Sequence, residues 1–178
     1  MTVVLLFCIA EEAKPFIHTI LSLPETPLAL VEQQECPSDE SGLRSKLADN
    51  EEFTTEFAGA SVEDCQKWIL KHQDTAMFVE PNIIGIADAR TAKDGTILMT
   101  WYREMEGENC PPYGVLPPEA DSWWDFRVRP EQAPNVLADL NFVAPDVTFP
   151  WYFARKDEFT DEDGVFDAVK AARTLKKQ

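Results

Sequence analysis

Residues 83–104 read IIGIADARTAKDGTILMTWYRE, and this stretch decides the fold class. Ile83 to Ala87 is a short apolar run rich in β-branched side chains, which indicates a buried strand. Thr96 to Glu104 is a second run of this kind. The dipeptide Asp94-Gly95 lies between them and favours a hairpin turn when it separates two apolar runs. The stretch therefore predicts a pair of antiparallel strands.

The segments on either side add strands and helices to this hairpin. An apolar run at residues 2–9 predicts a buried strand, and Ser61-Val-Glu-Asp64 is typical of a capped helix start. The other predicted elements are strands at 28–31 and 122–128, and helices at 10–23, 134–140 and from a cap at 160–163 to about 175. We predict one domain, residues 1–178, of the α/β or α+β class, with helices packed on a mixed sheet. The Pro-rich, acidic residues 105–121 are expected to form an inserted loop.

The charge of the chain excludes two classes of partner. Its 178 residues include 32 Asp and Glu against 16 Lys and Arg, which gives a formal net charge of −16. A field of this sign repels phosphate backbones and anionic membrane surfaces. We therefore expect neither nucleic acid nor a membrane as a partner.

The cysteines and the first apolar segment bear on the cellular compartment. Residues 2–9 are too few for a membrane span and lack the basic flank and cleavage site of a secretory signal. Cys8, Cys36, Cys65 and Cys110 form no C-x-x-C pair, which is a poor zinc pattern. We expect a cytoplasmic protein with reduced, mostly buried thiols, although the spacing leaves a disulfide open.

The predicted strand Trp124-Asp-Phe-Arg-Val-Arg129 presents two different faces. A period of two places Trp124, Phe126 and Val128 on one face and Asp125, Arg127 and Arg129 on the other. The apolar face is expected to join the core. The two arginines on the charged face could bind a carboxylate or phosphate ligand, or they could pair with the excess of acids in the chain.

Asp88 allows a similar pair of interpretations. It ends the predicted strand 83–87, where a carboxylate could act as an acid or base with a raised pKa. Alternatively it caps backbone N–H groups before Thr91 in a turn. If Asp88 contacts Arg127, one buried salt bridge explains both residues. We select Asp88, Asp125 and Arg127 as candidate catalytic residues.

Aromatic side chains are concentrated in the second half of the chain. Residues 147–153 predict an edge strand or an aromatic loop, since Pro150 interrupts the run. The segment Phe149-Pro-Trp-Tyr-Phe153 is too dense for every side chain to point inward, so part of it should form a pocket wall or contact surface. The candidate ligand-binding residues are Trp101, Trp124, Arg129, Trp151 and Tyr152.

The common catalytic and cofactor motifs are not found. The sequence contains no G-x-G-x-x-G, G-x-x-x-x-G-K-[ST], H-E-x-x-H or G-x-S-x-G pattern. Its two histidines, His18 and His72, are isolated on predicted helices and are expected to be ordinary helix positions. We predict no cofactor and no metal.

Three short motifs resemble a known family. Asp88-x-x-Thr91, Phe126-Arg127-Val128-x-Pro130 and Asp161-Glu-Asp-Gly-Val-Phe166, with an Asn/Leu-rich stretch at 135–141, look like a small acidic family of domains of unknown function. Its members occur in actinobacteria and some fungi, and the similarity covers residues 52–166. The resemblance implies a compact α/β domain and no particular activity. The chain departs from the pattern at 105–121 and 149–153, where its own function is expected.

Two functions fit these observations. The first is an acidic, cytosolic binding domain that recognises a protein partner or a small apolar or aromatic ligand through an aromatic-rich surface. The alternative is a cofactor-independent enzyme of a biosynthetic pathway, such as a cyclase, isomerase or hydrolase. It would bind its substrate in a Trp-lined pocket and use Asp88, Asp125 or Arg127 for acid–base or oxyanion chemistry.

Overall fold

Five strands form one mixed sheet in a computed structural model that describes residues 3–48, 51–103 and 122–175. The strands are β1 (Val3–Cys8), β2 (Leu28–Leu30), β3 (Val79–Ala87), β4 (Ile97–Arg103) and β5 (Ser122–Val128), and their order across the sheet is β2-β1-β3-β4-β5. Strand β1 is parallel to β2 and β3, whereas β4 is antiparallel to both β3 and β5. This confirms the predicted mixed sheet. The predicted loop 105–121 lies outside the described residues.

Seven α-helices pack on the sheet within the described residues. They are α1 (Lys14–Leu21), α2 (Val62–His72), α3 (Thr91–Asp94), α4 (Ala133–Phe142), α5 (Pro145–Phe149), α6 (Lys156–Phe159) and α7 (Ala168–Leu175). The predicted start of α2 is confirmed, because the Ser61 and Asp64 side chains cap each other's backbone N–H groups. The result is a single compact α+β domain with a core on both sheet faces.

The two cores have different helical partners. Leu6, Ile83 and Phe126 lie in the core that α1, α4 and α7 cover, and Leu5, Ile84 and Ile86 lie in the core that α2 covers. Adjacent residues of one strand point to opposite faces, so a sheet covered on both faces needs continuous apolar runs. The runs at residues 3–8 and 83–87 meet this requirement.

The parallel strands create a switch point at β1. The chain leaves β1 for β2 through α1 on one face and reaches β3 from β2 through α2 on the other face. In open α/β sheets, ligands bind at the carboxyl ends of the strands beside such a point. Here that edge is formed by Cys8 of β1 and Ala87 of β3, which pair in the sheet. Asp88 directly follows Ala87 and therefore lies at this edge.

The predicted antiparallel pairing of β3 and β4 is confirmed, but Asp94-Gly95 does not join them as a two-residue hairpin turn. The connection from β3 to β4 contains the one-turn helix α3, and Gly95 ends this helix with a positive φ of 71°. Gly95 therefore serves as a left-handed helix cap, which needs the same residue type as a hairpin turn. The dipeptide signal cannot distinguish these two uses.

Residues 160–166 also differ from their predicted structure. Helix α7 begins only at Ala168, so Thr160–Asp163 do not cap it directly. Instead, Asp161 Oδ1 accepts hydrogen bonds from the N–H groups of Asp163 (3.0 Å) and Val165 (2.8 Å) and holds a turn. The N–H of Phe166 then donates to the carbonyl of Arg127 (2.7 Å), which places this segment along the free edge of β5.

Residues 147–153 are helical, contrary to the predicted strand or loop. Helix α5 continues into a wide helical turn at Pro150–Ala154. Phe149, Trp151, Tyr152 and Phe153 are all buried, at most 7% exposed, so their side chains pack in the core and none of them forms an exposed surface. The side chains of a helical segment point in all directions, and here each of the four aromatic side chains packs against the sheet or another helix.

Candidate functional site

An ion pair between Asp88 and Arg127 lies next to the switch point. Asp88 follows β3 and Arg127 lies on β5, with β4 between them. The register pairs Ile86 with Leu98 and Leu98 with Arg127, which brings the two side chains to one end of the sheet on the α2 face. Both terminal nitrogens of Arg127 donate to the Asp88 carboxylate, and its Nη1 also donates to Thr96 Oγ1 (3.3 Å). The conditional prediction of one buried salt bridge is thereby confirmed.

Asp88 has a second role, because it holds the turn that leads into α3. Its Oδ1 accepts hydrogen bonds from the backbone N–H groups of Arg90 and Thr91, each at 3.0 Å. The Asp88 N–H in turn donates to Thr91 Oγ1 at 3.0 Å. The Asp88-x-x-Thr91 motif is therefore a local capping arrangement, as the turn interpretation predicts.

These contacts determine the protonation state of Asp88. Burial alone raises the pKa of its carboxyl group, but the hydrogen bonds and positive charge of Arg127, together with the N–H groups of Thr91 and Arg90, lower the pKa below its ordinary value. Asp88 is thus a paired carboxylate near neutral pH, and no observation favours it as a general acid or base. The catalytic role of Asp88 and Arg127 stays a prediction.

Asp125 is separate from the Asp88–Arg127 pair. It lies two residues earlier on β5, opposite Thr100, and is exposed. Neighbouring protein still displaces part of the water around its carboxylate, which raises its pKa; Lys156 opposes this shift and Glu63 adds to it. The three candidate catalytic residues therefore do not form one constellation.

A cleft lies beyond the ion pair, on the side of α3. It encloses about 540 Å³ between Arg90, Lys93 and Thr96 on one side and Arg129, Asp161 and Asp163 on the other. We call it the Arg129 cleft. Arg129 directly follows β5 and precedes a short 3₁₀ turn that starts at Pro130, so rigid elements position it.

The cations of the Arg129 cleft differ in their partners. The Arg90 Nε donates to Asp94 Oδ2 (2.8 Å), and its Nη2 donates to the carbonyl of Asp163. Within the described part of the chain, the side chains of Arg129 and Lys93 have no hydrogen-bond or ion-pair partner. Both are exposed.

The candidate aromatic residues lie mainly in the core. Trp101 (8% exposed), Trp151 (4%) and Tyr152 (0%) are buried, and Trp101 packs on the Phe153 ring at 5.1 Å between centroids. Side chains with these exposures offer almost no area to a ligand. The Trp-lined pocket is thus replaced by core packing at these three positions.

Trp124 is the exception, because it is only half-buried. Its ring contacts Phe153 at 4.8 Å between centroids, and its buried Nε1 has no acceptor among the described residues. A buried N–H without an acceptor is costly. Because this nitrogen is itself buried, a ligand would contact the exposed part of the ring. Trp124 is the aromatic candidate whose geometry best fits a contact role.

Sequence reasoning selected Arg129 but missed Arg90 and Lys93. Both lie on or beside α3, which the hairpin prediction did not include. The Asp88-x-x-Thr91 motif was an available signal, because a capped turn after β3 would place residues 90–93 at the strand ends. No group of three or more His, Cys, Asp or Glu in residues 3–48, 51–103 and 122–175 is arranged to hold a metal ion.

The cysteines of the described region carry free thiols. Cys8 and Cys65 are buried, and Cys36 is half-buried. Burial raises the pKa of Cys8 to about 11 and that of Cys65 to about 12, so both thiols stay neutral. Cys110 lies outside the described residues. None of the helices in the described ranges has the length and apolarity needed to cross a membrane.

The comparisons with known proteins bring no further assignment. A scan against protein-family models found no match, and searches of curated proteins and of solved structures found none either. The resemblance to a family of domains of unknown function therefore stays a prediction.

Glu80 is a buried carboxylate outside the Arg129 cleft. Its burial predicts that its charge destabilises the folded protein, and this can be measured. It is 8% exposed at the start of β3, and burial raises its pKa although Asn141 Nδ2 donates to it at 2.7 Å. Because its native pKa is raised, the stability it contributes is complete below the ordinary glutamate pKa and is lost as the pH rises through the native pKa. We expect Glu80→Gln, which keeps an acceptor for Asn141, to raise the free energy of unfolding at pH 7 by roughly 1 kcal/mol.

Urea unfolding of both proteins at pH 7 and pH 4 measures this effect. The gain should shrink at pH 4, where the wild-type carboxyl group is protonated. The exposed Glu162→Gln serves as the matched control and should change stability little at either pH. A loss of stability in Glu80→Gln at pH 7 would contradict the expectation.

Proposed function

We propose that this chain is a binding domain which holds a small ligand with a carboxylate or phosphate group in the Arg129 cleft. The observation that carries the proposal is the pair of unpaired cations, Arg129 and Lys93, beside one concave surface. Some cations of the chain have carboxylate partners, as Arg44 does with Glu32 and Glu51, whereas others, such as Lys46 and Arg173, have none among the described residues. Arg129 and Lys93 are two cations without a partner that line the same cleft, so both can contact one anionic ligand.

The chemistry of the two side chains supports this class of ligand. A guanidinium group binds carboxylate and phosphate oxygens through two parallel hydrogen bonds, and an ammonium group adds a point charge with three donors. The cleft volume of about 540 Å³ lies within the range common for small-molecule sites. The net charge of −16 repels anions at long range. Recognition would therefore depend on contacts inside the cleft.

The remaining cleft residues limit what the ligand can be. Asp161 and Asp163 contribute carboxylates to the same lining, so a highly charged anion would meet repulsion. Arg90 is already held by Asp94 and the Asp163 carbonyl and helps to keep the cleft in shape. A ligand with one anionic group and an otherwise polar structure best fits this arrangement of charged residues in the cleft.

Titration with succinate and with inorganic phosphate, followed by NMR of backbone amides, tests the proposal. We expect saturable shifts at Lys93 and Arg129 with at least one of the two probes. Arg129→Gln should weaken binding about tenfold, since it removes one charge-assisted contact of roughly 1.4 kcal/mol. Arg173→Gln, which changes an exposed arginine on α7, is the matched control and should bind normally. Absence of saturable shifts, or equal binding by Arg129→Gln, would overturn the proposal.

The enzyme alternative has weaker support. Asp88 is held by Arg127 and by the backbone of α3, and Asp125 lies apart from both. A binding domain requires no proton transfer, so these contacts do not count against it. The aromatic recognition surface also remains a proposal, and the partial exposure of Trp124 is the observation that favours it.

A further inference from the structure

A second cavity lies near the carboxyl edge of the parallel strands. Residues 53–57 cross this edge: Thr55 Oγ1 donates to the carbonyl of Cys8 (3.4 Å), and Phe53 and Phe57 enter the cores on opposite faces of the sheet. The N–H of Gly59 donates to the carbonyl of Ile9 (2.8 Å). Residues 53–59 therefore occupy the crevice at the carboxyl ends of β1 and β3. Free space remains between these residues and α1.

This space is a pocket of about 430 Å³ between α1 and residues 51–54. Pro15 and the Phe53 ring supply an apolar lining, and Lys14, His18, Glu51 and Glu52 supply polar groups around it. The His18 Nε2 lies 2.7 Å from the Glu51 carbonyl oxygen, which ties the two walls of the pocket together. An apolar lining with a few polar groups is typical of small-molecule sites.

The charges around the pocket leave one carboxylate without a partner. The Glu51 carboxylate accepts hydrogen bonds from Arg44 and from the N–H of Ala48. Lys14 pairs with Glu11 at 2.7 Å. Glu52 is exposed, and its side chain has no hydrogen-bond or ion-pair partner among residues 3–48, 51–103 and 122–175. The unpaired charge of the pocket is therefore negative.

Phe53 is 9% exposed, so only a small part of its ring lines the pocket, and a cation already lies near that ring. Lys14 Nζ lies 5.8 Å from its centroid, within the range of a cation–π contact. An ammonium group favours the face of an aromatic ring and a carboxylate. The net charge of −16 attracts cations to the whole surface.

We propose that this pocket binds a small aromatic amine, whose ring packs on the exposed Pro15 and on the accessible edge of Phe53, and whose ammonium group pairs with Glu52. This site is independent of the Arg129 cleft, because it lies on other elements and selects the opposite charge.

Phenethylamine is the probe, with the uncharged 2-phenylethanol and the anionic 3-phenylpropionate as matched analogues. NMR titration of the wild-type chain should show saturable amide shifts at residues 14–18 and 51–54. Phenethylamine should bind about threefold to fivefold more tightly than 2-phenylethanol, as expected for one exposed ion pair. The anionic analogue should bind least tightly.

Variants separate the role of the carboxylate from that of the ring. Glu52→Gln should bind phenethylamine no better than 2-phenylethanol, whereas the exposed control Glu162→Gln should bind like wild type. Phe53→Leu should weaken binding of all three compounds. Since Phe53 is 9% exposed and contributes to the core, Glu52→Gln remains decisive if Phe53→Leu does not fold. Equal binding of the amine and the alcohol to wild type, or no saturable shift at these amides, would overturn the proposal.

Discussion

Replacing Arg127 with methionine is expected to destabilise the protein by about 2–4 kcal/mol at pH 7. The change removes a guanidinium that is 8% exposed and leaves Asp88, itself 23% exposed, without its counter-charge. A buried charge without a partner costs several kcal/mol, and the partial exposure of Asp88 and its three remaining hydrogen bonds to Arg90 and Thr91 limit the loss. Chemical denaturation measures the difference.

The pH dependence of this loss follows from the direction of the Asp88 shift. Its pKa is lowered in the folded protein, so the stability it contributes is present above the ordinary aspartate pKa and is lost as the pH falls through the native pKa. The difference between wild type and Arg127→Met should therefore be constant near neutral pH and decrease in acid.

A double-mutant cycle with Asp88→Asn isolates the pair from other effects. The double variant Asp88→Asn/Arg127→Met should be less destabilised than the sum of the single variants, because neither partner is then left as a lone buried charge. Arg173→Met, at an exposed arginine on α7, is the control and should change stability by no more than about 0.5 kcal/mol. If Arg127→Met behaved like this control, the ion pair would contribute nothing to stability.

Truncating Tyr152 to alanine is expected to cost about 3–5 kcal/mol. Tyr152 is fully buried, its ring lies 5.0 Å from that of Phe166 and 5.8 Å from that of Phe126, and its hydroxyl donates to Asp139 Oδ2 at 2.9 Å. Alanine would leave a cavity among these rings and would remove the hydrogen bond to Asp139. Thermal or urea unfolding measures the loss.

Phe142 provides a matched aromatic control for this experiment. It lies at the end of α4 and is 81% exposed, so Phe142→Ala should change stability by no more than about 0.5 kcal/mol. A small effect of Tyr152→Ala would contradict the expectation that this side chain is tightly packed in the core.

The fold class could be predicted because its signals are local. The apolar runs of β1 and β3, the Ser61 cap and the alternation of β5 each depend on residues close together in the chain. Backbone sterics, side-chain periodicity and capping act over a few residues, so they are readable without any tertiary contact. The strand Ser122–Val128 was predicted with its final boundaries for this reason.

The arrangement of the candidate site was decided by contacts between distant residues. Asp88 and Arg127 are 39 positions apart and meet because β4 pairs with both β3 and β5. Residues 149–153 become core because helices cover them, and Arg129 faces a cleft because α3 replaces the expected hairpin turn. Burial and charge pairing depend on which surfaces the packed elements cover. The sequence by itself determined the strands, the caps and the acidic charge, and the tertiary structure decided which aromatic side chains are buried and which cations remain unpaired.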